Sequence, residues 1–409
     1  MELVRFISVL LIIIGILLAL IVNFIAKFIN RNKPIKRDMN HDFCILIPAR
    51  YESKVIGNLL KSIKKQSFKI NMKDVYVIVE SMEDETVNIC KKYNATVFLR
   101  KKLNLQRKGY ALDEAVQDIL SKNKHYDAYF IFDADNVLDK DFIKNMLPVY
   151  DKGYDLACGY RNCKNGNDSV VAASSALTFS LINTVFNNSK TKETRNITFS
   201  GTGFYIRGSI LEELGGYPFH ELTEDYEISM YATLNNLTTC YNTKSEFFDE
   251  QPLKYKQTIN QRERWIRGYF DVRKKYTRKI FRGLKLKDKN FGSKLDESFG
   301  VVYYVFMVVG IVFWMLSLLV NIIINLFSGK TIIWLLFEYL MIILAVYLAL
   351  LVMTFVIILL ERKKIKLDTS MKIKVLFYNP LFMMTYVPCA IRALCKKEIK
   401  WQRVEHNSN

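Results

Sequence analysis

Three stretches of the chain, Phe6 to Ala26, Val301 to Ser328 and Tyr339 to Leu360, contain no charged residue. Each exceeds the roughly 18–20 residues with which a helix crosses a bilayer. In hydrocarbon every backbone amide has to be bonded within its own segment, so each run predicts a membrane helix. The first run is longer than the apolar core of a signal peptide and no A-x-A site follows it, so it reads as a retained anchor. Lys27, Arg31, Lys33, Lys36 and Arg37 follow the first run, and Arg362, Lys363, Lys364 and Lys366 follow the third. The link between the second and third runs holds only Lys330. Basic flanks stay on the cytoplasmic side. The expected organisation is an N-terminal anchor over 1–30, a cytosolic domain over 38–257, amphipathic interfacial helices over 258–300 and two membrane helices over 301–360. Residues 361–409 hold a basic loop, one more apolar stretch and a short cytosolic tail. That stretch, Val375 to Leu394, contains Pro380 and Pro388 and has basic flanks on both sides. It predicts a re-entrant or interfacial hairpin, with a fourth span as the alternative.

The remaining charge narrows the partners. The 409 residues carry 59 Lys+Arg against 40 Asp+Glu, a net +19. In a chain with membrane helices this excess points to lipid headgroups and substrate phosphates. The basic residues gather at membrane flanks rather than in an aromatic-lined groove, which argues against nucleic acid. Seven scattered cysteines form no C-x-x-C pair, and His41, His125, His220 and His406 stand far apart. Neither a disulfide framework nor a zinc site is expected, so any metal has to be held by oxygen.

Between the membrane runs, strand-like segments alternate with helical periodicity. FCILIPAR, DVYVIVES, ATVFLR and DAYFIFDAD read as strands. The intervening segments place Val55, Ile56, Leu59, Leu60 and Ile63, and then Ala111, Leu112, Ala115, Val116 and Ile119, on single helical faces. This is the signature of an α/β fold with a mainly parallel sheet flanked by helices, in which ligands bind beyond the carboxyl ends of the strands. Polar residues fall at those ends: Arg50 and Glu52 after Pro48, then Glu80, then Asp133 and Asp135. No glycine fingerprint follows the first strand, which weakens dinucleotide and P-loop readings. Asp133 and Asp135 at one strand end repel each other, and a bound Mg²⁺ or Mn²⁺ removes that conflict. The plain alternative for D-x-D is a turn whose Asp caps the next helix.

Two further motifs admit structural readings. In LTEDYEISMYATL, Thr223 is placed to cap a helix whose first turn holds Glu224 and Asp225, and acids favour that end of a helix. In QRERWIRGYFDVRKKY, Ile259, Ile266, Tyr269 or Phe270, Tyr276 and Ile280 share a stripe, as in a basic amphipathic helix on a membrane surface. Lys108 before Gly109 is, alone, an ordinary Lys-Gly turn.

Taken in order, IPARYES, VESMEDET, KGYALD, FDADN, SGTGFYIRG, LTEDYE and QRERW resemble the processive family 2 glycosyltransferases of bacterial membranes. These include the synthases of cellulose, hyaluronan and poly-N-acetylglucosamine; DADN, LTED and DE-x-P resemble a bacterial exopolysaccharide-type group. The resemblance covers Phe43 to Tyr276. It implies a GT-A nucleotide-sugar-binding domain, a UDP-sugar donor, an Mg²⁺ or Mn²⁺ cofactor and a growing glycan or lipid-linked acceptor. Asp135 would hold the metal, with Asp133 on the ribose or the metal. Pro48, Arg50, Glu52 and Lys108 would line the nucleotide and its phosphates. Glu80 stands where an Asp is usual, so Asp84 is a second candidate for that contact. Asp225 would be the general base, beside Glu224. Gln261, Arg264 and Trp265 would frame phosphates and acceptor, and Gly201, Thr202, Gly203 and Phe204 the acceptor floor. A multi-pass cell-membrane protein with a cytosolic catalytic domain follows, completed for export by a homo-oligomer or a partner if the product is secreted. The full set of carboxylates argues against a silent scaffold.

Overall fold

The apolar strand sequences pair into one eight-stranded sheet. In the computed structural model, which describes residues 2–36, 40–328 and 333–395, its strands are β1 (Phe43–Pro48), β2 (Val75–Val79), β3 (Thr96–Leu99), β4 (Ala128–Ile131), β5 (Val137–Leu138), β6 (Leu156–Cys163), β7 (Phe204–Arg207) and β8 (Thr239–Asp249). The order is β3-β2-β1-β4-β7-β6-β8-β5. β1 to β4 are mutually parallel, and β6 runs parallel to β8. β7 is antiparallel to both β4 and β6, and β5 to β8. The sheet is therefore mixed, with a parallel majority. The expected boundary at 38, Arg37, Lys330 and the tail beyond Cys395 lie outside the described residues.

Alternation along β1 explains why both faces are covered. Phe43, Ile45 and Ile47 enter one core with Ile56, Leu59, Leu60 and Ile63. Cys44 and Leu46 enter the other with Ala111, Leu112, Ala115, Val116 and Ile119. Both predicted helical faces are thus buried in the helices Ile56–Lys64 and Lys108–Ser121. The chain turns at the carboxyl ends of β1, β2 and β4 bring Arg50, Glu80, Asp133 and Asp135 to one edge of the sheet.

Among the described residues, four helices are long and apolar enough to cross a membrane: Leu3–Ile29, Val170–Lys192, Val309–Phe327 and Leu336–Leu360. The first lies antiparallel along Phe291–Phe327, close enough that a Cβ at Gly310 would meet the Ser8 carbonyl at 2.7 Å. The second was not singled out by the sequence. It is 65% buried over its most apolar window, against 17%, 17% and 11% for the others. It contains a π-helical stretch, Ile182–Asn187, and packs Ala173 and Leu177 against Ile357, Ile365, Leu367 and Val375. It joins β6 to β7, which pair through Leu156–Cys158 and Phe204–Ile206.

The stretch with Pro380 and Pro388 forms two short helices, Thr369–Met384 and Tyr386–Cys395, meeting at Thr385. At 1.5 Å per residue they are about 24 and about 15 Å long. Each exposes an apolar stripe: Ile373, Phe377 and Leu381 on one, Val387, Ile391 and Leu394 on the other. The Q-R-E-R-W segment lies in a single 29-residue helix, Tyr255–Gly283. Its Val272, Tyr276 and Ile280 pack on Tyr226 and Met230 of the helix Glu224–Leu234. Of the expected stripe, Ile259, Ile266 and Tyr269 are half-buried and Phe270 is exposed, because the buried face also carries Arg262, Glu263 and Arg273.

Candidate active site

Lys108 is the hub of the strand-end edge. It opens the helix Lys108–Ser121, and Gly109 lets that helix start against the backbone of Phe219, where a Cβ would stand 1.9 Å from the carbonyl oxygen. Lys108 Nζ donates to Asp133 Oδ1 at 2.5 Å and to the Gly201 carbonyl at 2.6 Å, and lies 3.7 Å from Glu224 Oε1. One ammonium thus ties three separate loops together. Burial pulls its pKa down, but Asp133, Glu224 and Asp225 outweigh that and hold it above the ordinary lysine value.

Glu224 and Asp225 project from the first turn of Glu224–Leu234. Thr223 stands at the N-cap but its buried hydroxyl caps nothing; it is packed against Gly268, where a Cβ would come within 2.6 Å of its Cγ2. Asp225 Oδ1 accepts the Tyr226 N–H at 2.8 Å, and its Oδ2 lies 3.6 Å from where a Gly201 Cβ would be. Burial raises Glu224 to about 7, against the pull of Lys108 and with the help of Asp225. Burial also raises Asp225, opposed by the Tyr226 N–H, Lys108 and Arg264.

These groups face a cavity of about 650 Å³. Of the residues the sequence proposed, Pro48, Arg50, Glu52, Glu80, Lys108, Asp133, Asp135, Gly201, Glu224, Asp225, Gln261, Arg264 and Trp265 line it. Arg264 Nη1 donates to the Leu222 carbonyl at 3.3 Å, and Trp265 meets Phe179 edge-on at 5.9 Å.

Four proposed residues do not line it. Asp84 is buried as the N-cap of Glu85–Lys92, accepting the N–H groups of Thr86 at 2.8 Å and Tyr51 at 2.7 Å. Thr202 is buried behind the Asp133 turn, where its Oγ1 accepts the Asp133 N–H at 2.8 Å and donates to Asn136 Oδ1 at 2.5 Å. Gly203, at φ +70, leaves room for the Phe247 ring, and Phe204 opens β7 within the core. Of the expected acceptor floor, Gly201 alone lines the cavity, and Trp265 lines it beside.

Three lining arginines were missed: Arg107, which donates to the His220 carbonyl at 2.9 Å, and Arg100 and Arg161. Arg100 pairs with Glu80 and Glu114. Arg161 pairs with Asp249, donates to the Ser200 carbonyl at 2.7 Å and lies 3.7 Å over the Phe179 ring. Neither Arg100 nor Arg161 sits in a motif; only their place after apolar strand residues marks them.

The donor set suits a hard cation. Asp135 Oδ2 accepts the Glu250 N–H at 3.2 Å and its Oδ1 the Asn136 side-chain amide at 3.1 Å, which aims the carboxylate. Among the described residues no three His, Cys, Asp or Glu side chains gather around one point as for a closed metal centre. Mg²⁺ and its like need only one or two carboxylates when substrate phosphates and water supply the rest, so Asp133 and Asp135 fit.

Residues 41–268 match the family described as glycosyltransferase like family 2. The probable glycosyltransferase YdaM of Bacillus subtilis (strain 168) is 25% identical over 259 residues, 60% of this chain and 58% of its own. Glucomannan 4-beta-mannosyltransferase 7 of Arabidopsis thaliana is 24% identical over 249 residues, 58% of this chain and 44% of its own. The chain thus spans about half the length of these curated relatives. Among solved structures, the mannosyltransferase PcManGT from Pyrobaculum calidifontis, in complex with GDP-Man and Mn²⁺, superposes with a TM-score of 0.57 at 14% identity. That match covers 97% of this chain and 100% of the other, and it shows a shared GT-A-like fold.

Proposed function

This chain belongs to the glycosyltransferase like family 2, and on that premise we propose that it is an inverting, metal-dependent membrane transferase. It would use a UDP-sugar, UDP-GlcNAc or UDP-glucose first, to build an extracellular or cell-wall polysaccharide from the cytosolic side. The supporting observation is the Lys108 hub, which draws Asp133 and Glu224 to one ammonium in a cavity that Asp135 and Asp225 share.

In this reading the diphosphate lies along Lys108, with the nucleotide toward Arg50 and Glu80. Asp225 takes the proton of an acceptor hydroxyl as that oxygen attacks the anomeric carbon, and the bond from that carbon to the diphosphate oxygen breaks on the opposite side. General-base help of this kind contributes about 10²–10⁴-fold. Asp133 and Asp135 would hold a divalent ion, which would neutralise charge on the departing diphosphate. Lys108 and Arg264 add fixed positive charge, and Trp265 gives a sugar ring a flat apolar face. Glu224 keeps Lys108 in place.

The test is Asp225→Asn, which retains nucleotide binding and loses sugar transfer; equal turnover removes Asp225 from the mechanism. A second reading, one sugar added to a lipid phosphate or a wall polymer, is favoured by Tyr386, which lines the cavity at the start of a helix with an exposed apolar stripe. Product size from radiolabelled donor separates the two: a ladder or smear means polymerisation, a single lipid-soluble species means single transfer.

A further inference from the structure

At the nucleotide end of the cavity both oxygens of Glu80 are taken by guanidinium groups. Oε2 meets Arg50 Nε at 2.8 Å, and Oε1 meets Arg100 Nη1 at 3.0 Å. The two arginines differ in exposure. The Arg100 side chain is 4% exposed and is fixed further by Glu114 Oε1 at 3.2 Å and by the carbonyls of Lys102 at 3.2 Å and Leu105 at 2.7 Å. It therefore organises the turn between β3 and the helix that Lys108 opens. The Arg50 side chain is 36% exposed and faces the cavity.

An Asp at position 80 would be shorter by one methylene, about 1.5 Å. It could not reach both arginines from the same backbone position. The length of Glu is thus used to span them, and its charge holds two like-charged groups side by side.

We infer that Glu80 is a positioning residue that fixes Arg50 as the group reading the nucleobase, so that this end of the site presents hydrogen-bond donors. A guanidinium only donates. It is complementary to bases with carbonyl oxygens, such as O4 of uracil or O6 of guanine, and not to the amine that cytosine carries in place of O4. The inference rests on the nucleotide-sugar reading of the cavity and specifies which donors it takes.

The experiment titrates UDP, GDP and CDP, each with Mn²⁺ and without acceptor, into the full chain in detergent micelles. UDP and GDP are expected to bind more tightly than CDP. Glu80→Asp should weaken UDP by roughly 10–100-fold, the worth of a charge-assisted hydrogen bond. It should also draw the UDP and CDP affinities together. In an Arg50→Gln background the same substitution should add less than about twofold, because both act through one group. In transfer assays Glu80→Asp should raise the donor KM and leave kcat and the melting temperature within error, which a merely structural role would not do. UDP binding by Glu80→Asp as tight as wild type, or effects that multiply with Arg50→Gln, overturns the inference while the transferase reading stands. If the wild-type chain binds none of the three nucleotides, that reading fails and the inference fails with it.

Discussion

Lys108 Nζ and Asp133 Oδ1 lie 2.5 Å apart although 25 residues separate them in the chain. The bond joins the start of a helix to the end of a strand, and the same ammonium reaches Glu224. Lys108→Met would leave the buried Glu224 without that cation, and its pKa should rise further above about 7. Turnover should fall about 10²–10³-fold, as when one fixed donor is removed from a transition-state site. Steady-state rates of UDP release at pH 8 measure this; a loss under threefold would show that Lys108 is only structural.

The pH profile follows from the same pair. Burial raises both Glu224, to about 7, and Asp225. A carboxylate serves as a base only when ionised, and a raised pKa keeps the proton on to higher pH. Activity should therefore be lost on acidification at a pH well above the ordinary carboxylate range near 4. A plot of kcat/KM against pH at saturating Mn²⁺ should bend above that range. A profile with no bend above the ordinary carboxylate range would contradict Asp225 as the group that takes the proton.

Adjacent arginines in Q-R-E-R-W should behave differently. Arg262 is 2% exposed, stacks between the rings of Phe382 at 3.6 Å and Tyr386 at 4.4 Å, and donates to the Phe382 carbonyl and Thr385 Oγ1. Burial lowers its pKa, so its charge depends on these contacts. Arg262→Ala should destabilise the protein by about 2–4 kcal/mol, seen as a lower melting temperature in detergent. Arg264→Ala, at the cavity wall, should leave melting nearly unchanged and lower turnover.

Thr202→Val keeps the shape of the side chain and removes both hydroxyl bonds at the Asp133 turn. The part-buried Asp133 N–H loses its shorter bond, at a cost of about 1 kcal/mol. Mn²⁺-dependent UDP binding should weaken while the acceptor KM stays constant. A change confined to the acceptor KM would instead return Thr202 to the acceptor floor.

How much of this could be read in advance depends on the kind of signal. Strand and helix periodicity is local, and it located the β1, β2 and β4 ends that carry Arg50, Glu80, Asp133 and Asp135. Strand direction has no local signal, so the reversed β7 was not foreseen. Asp84 did have one, since Asp followed by Glu and Thr before a helical run is a cap signature; it was read as a ligand because of its place in a motif. Arg100 and Arg161 gain their roles only from carboxylates distant in sequence. The helix Val170–Lys192 was overlooked because Ser174, Ser175, Thr178 and Asn183 dilute its apolar pattern; in the fold Ser175 and Thr178 bond within the helix and Asn183 donates to the Arg161 carbonyl at 2.9 Å.

That last helix decides how bilayer passages are to be counted. A tally by apolar length alone scores it as a traverse and assigns opposite compartments to the segments on either side. Hydrogen bonds stitch β6, before it, to β7, after it, and Thr191 near its end accepts the Tyr241 N–H of β8 at 2.8 Å, so both of its ends lie against one sheet. Apolar length alone therefore does not make this helix a bilayer passage, and a count over the candidate helices leaves it out.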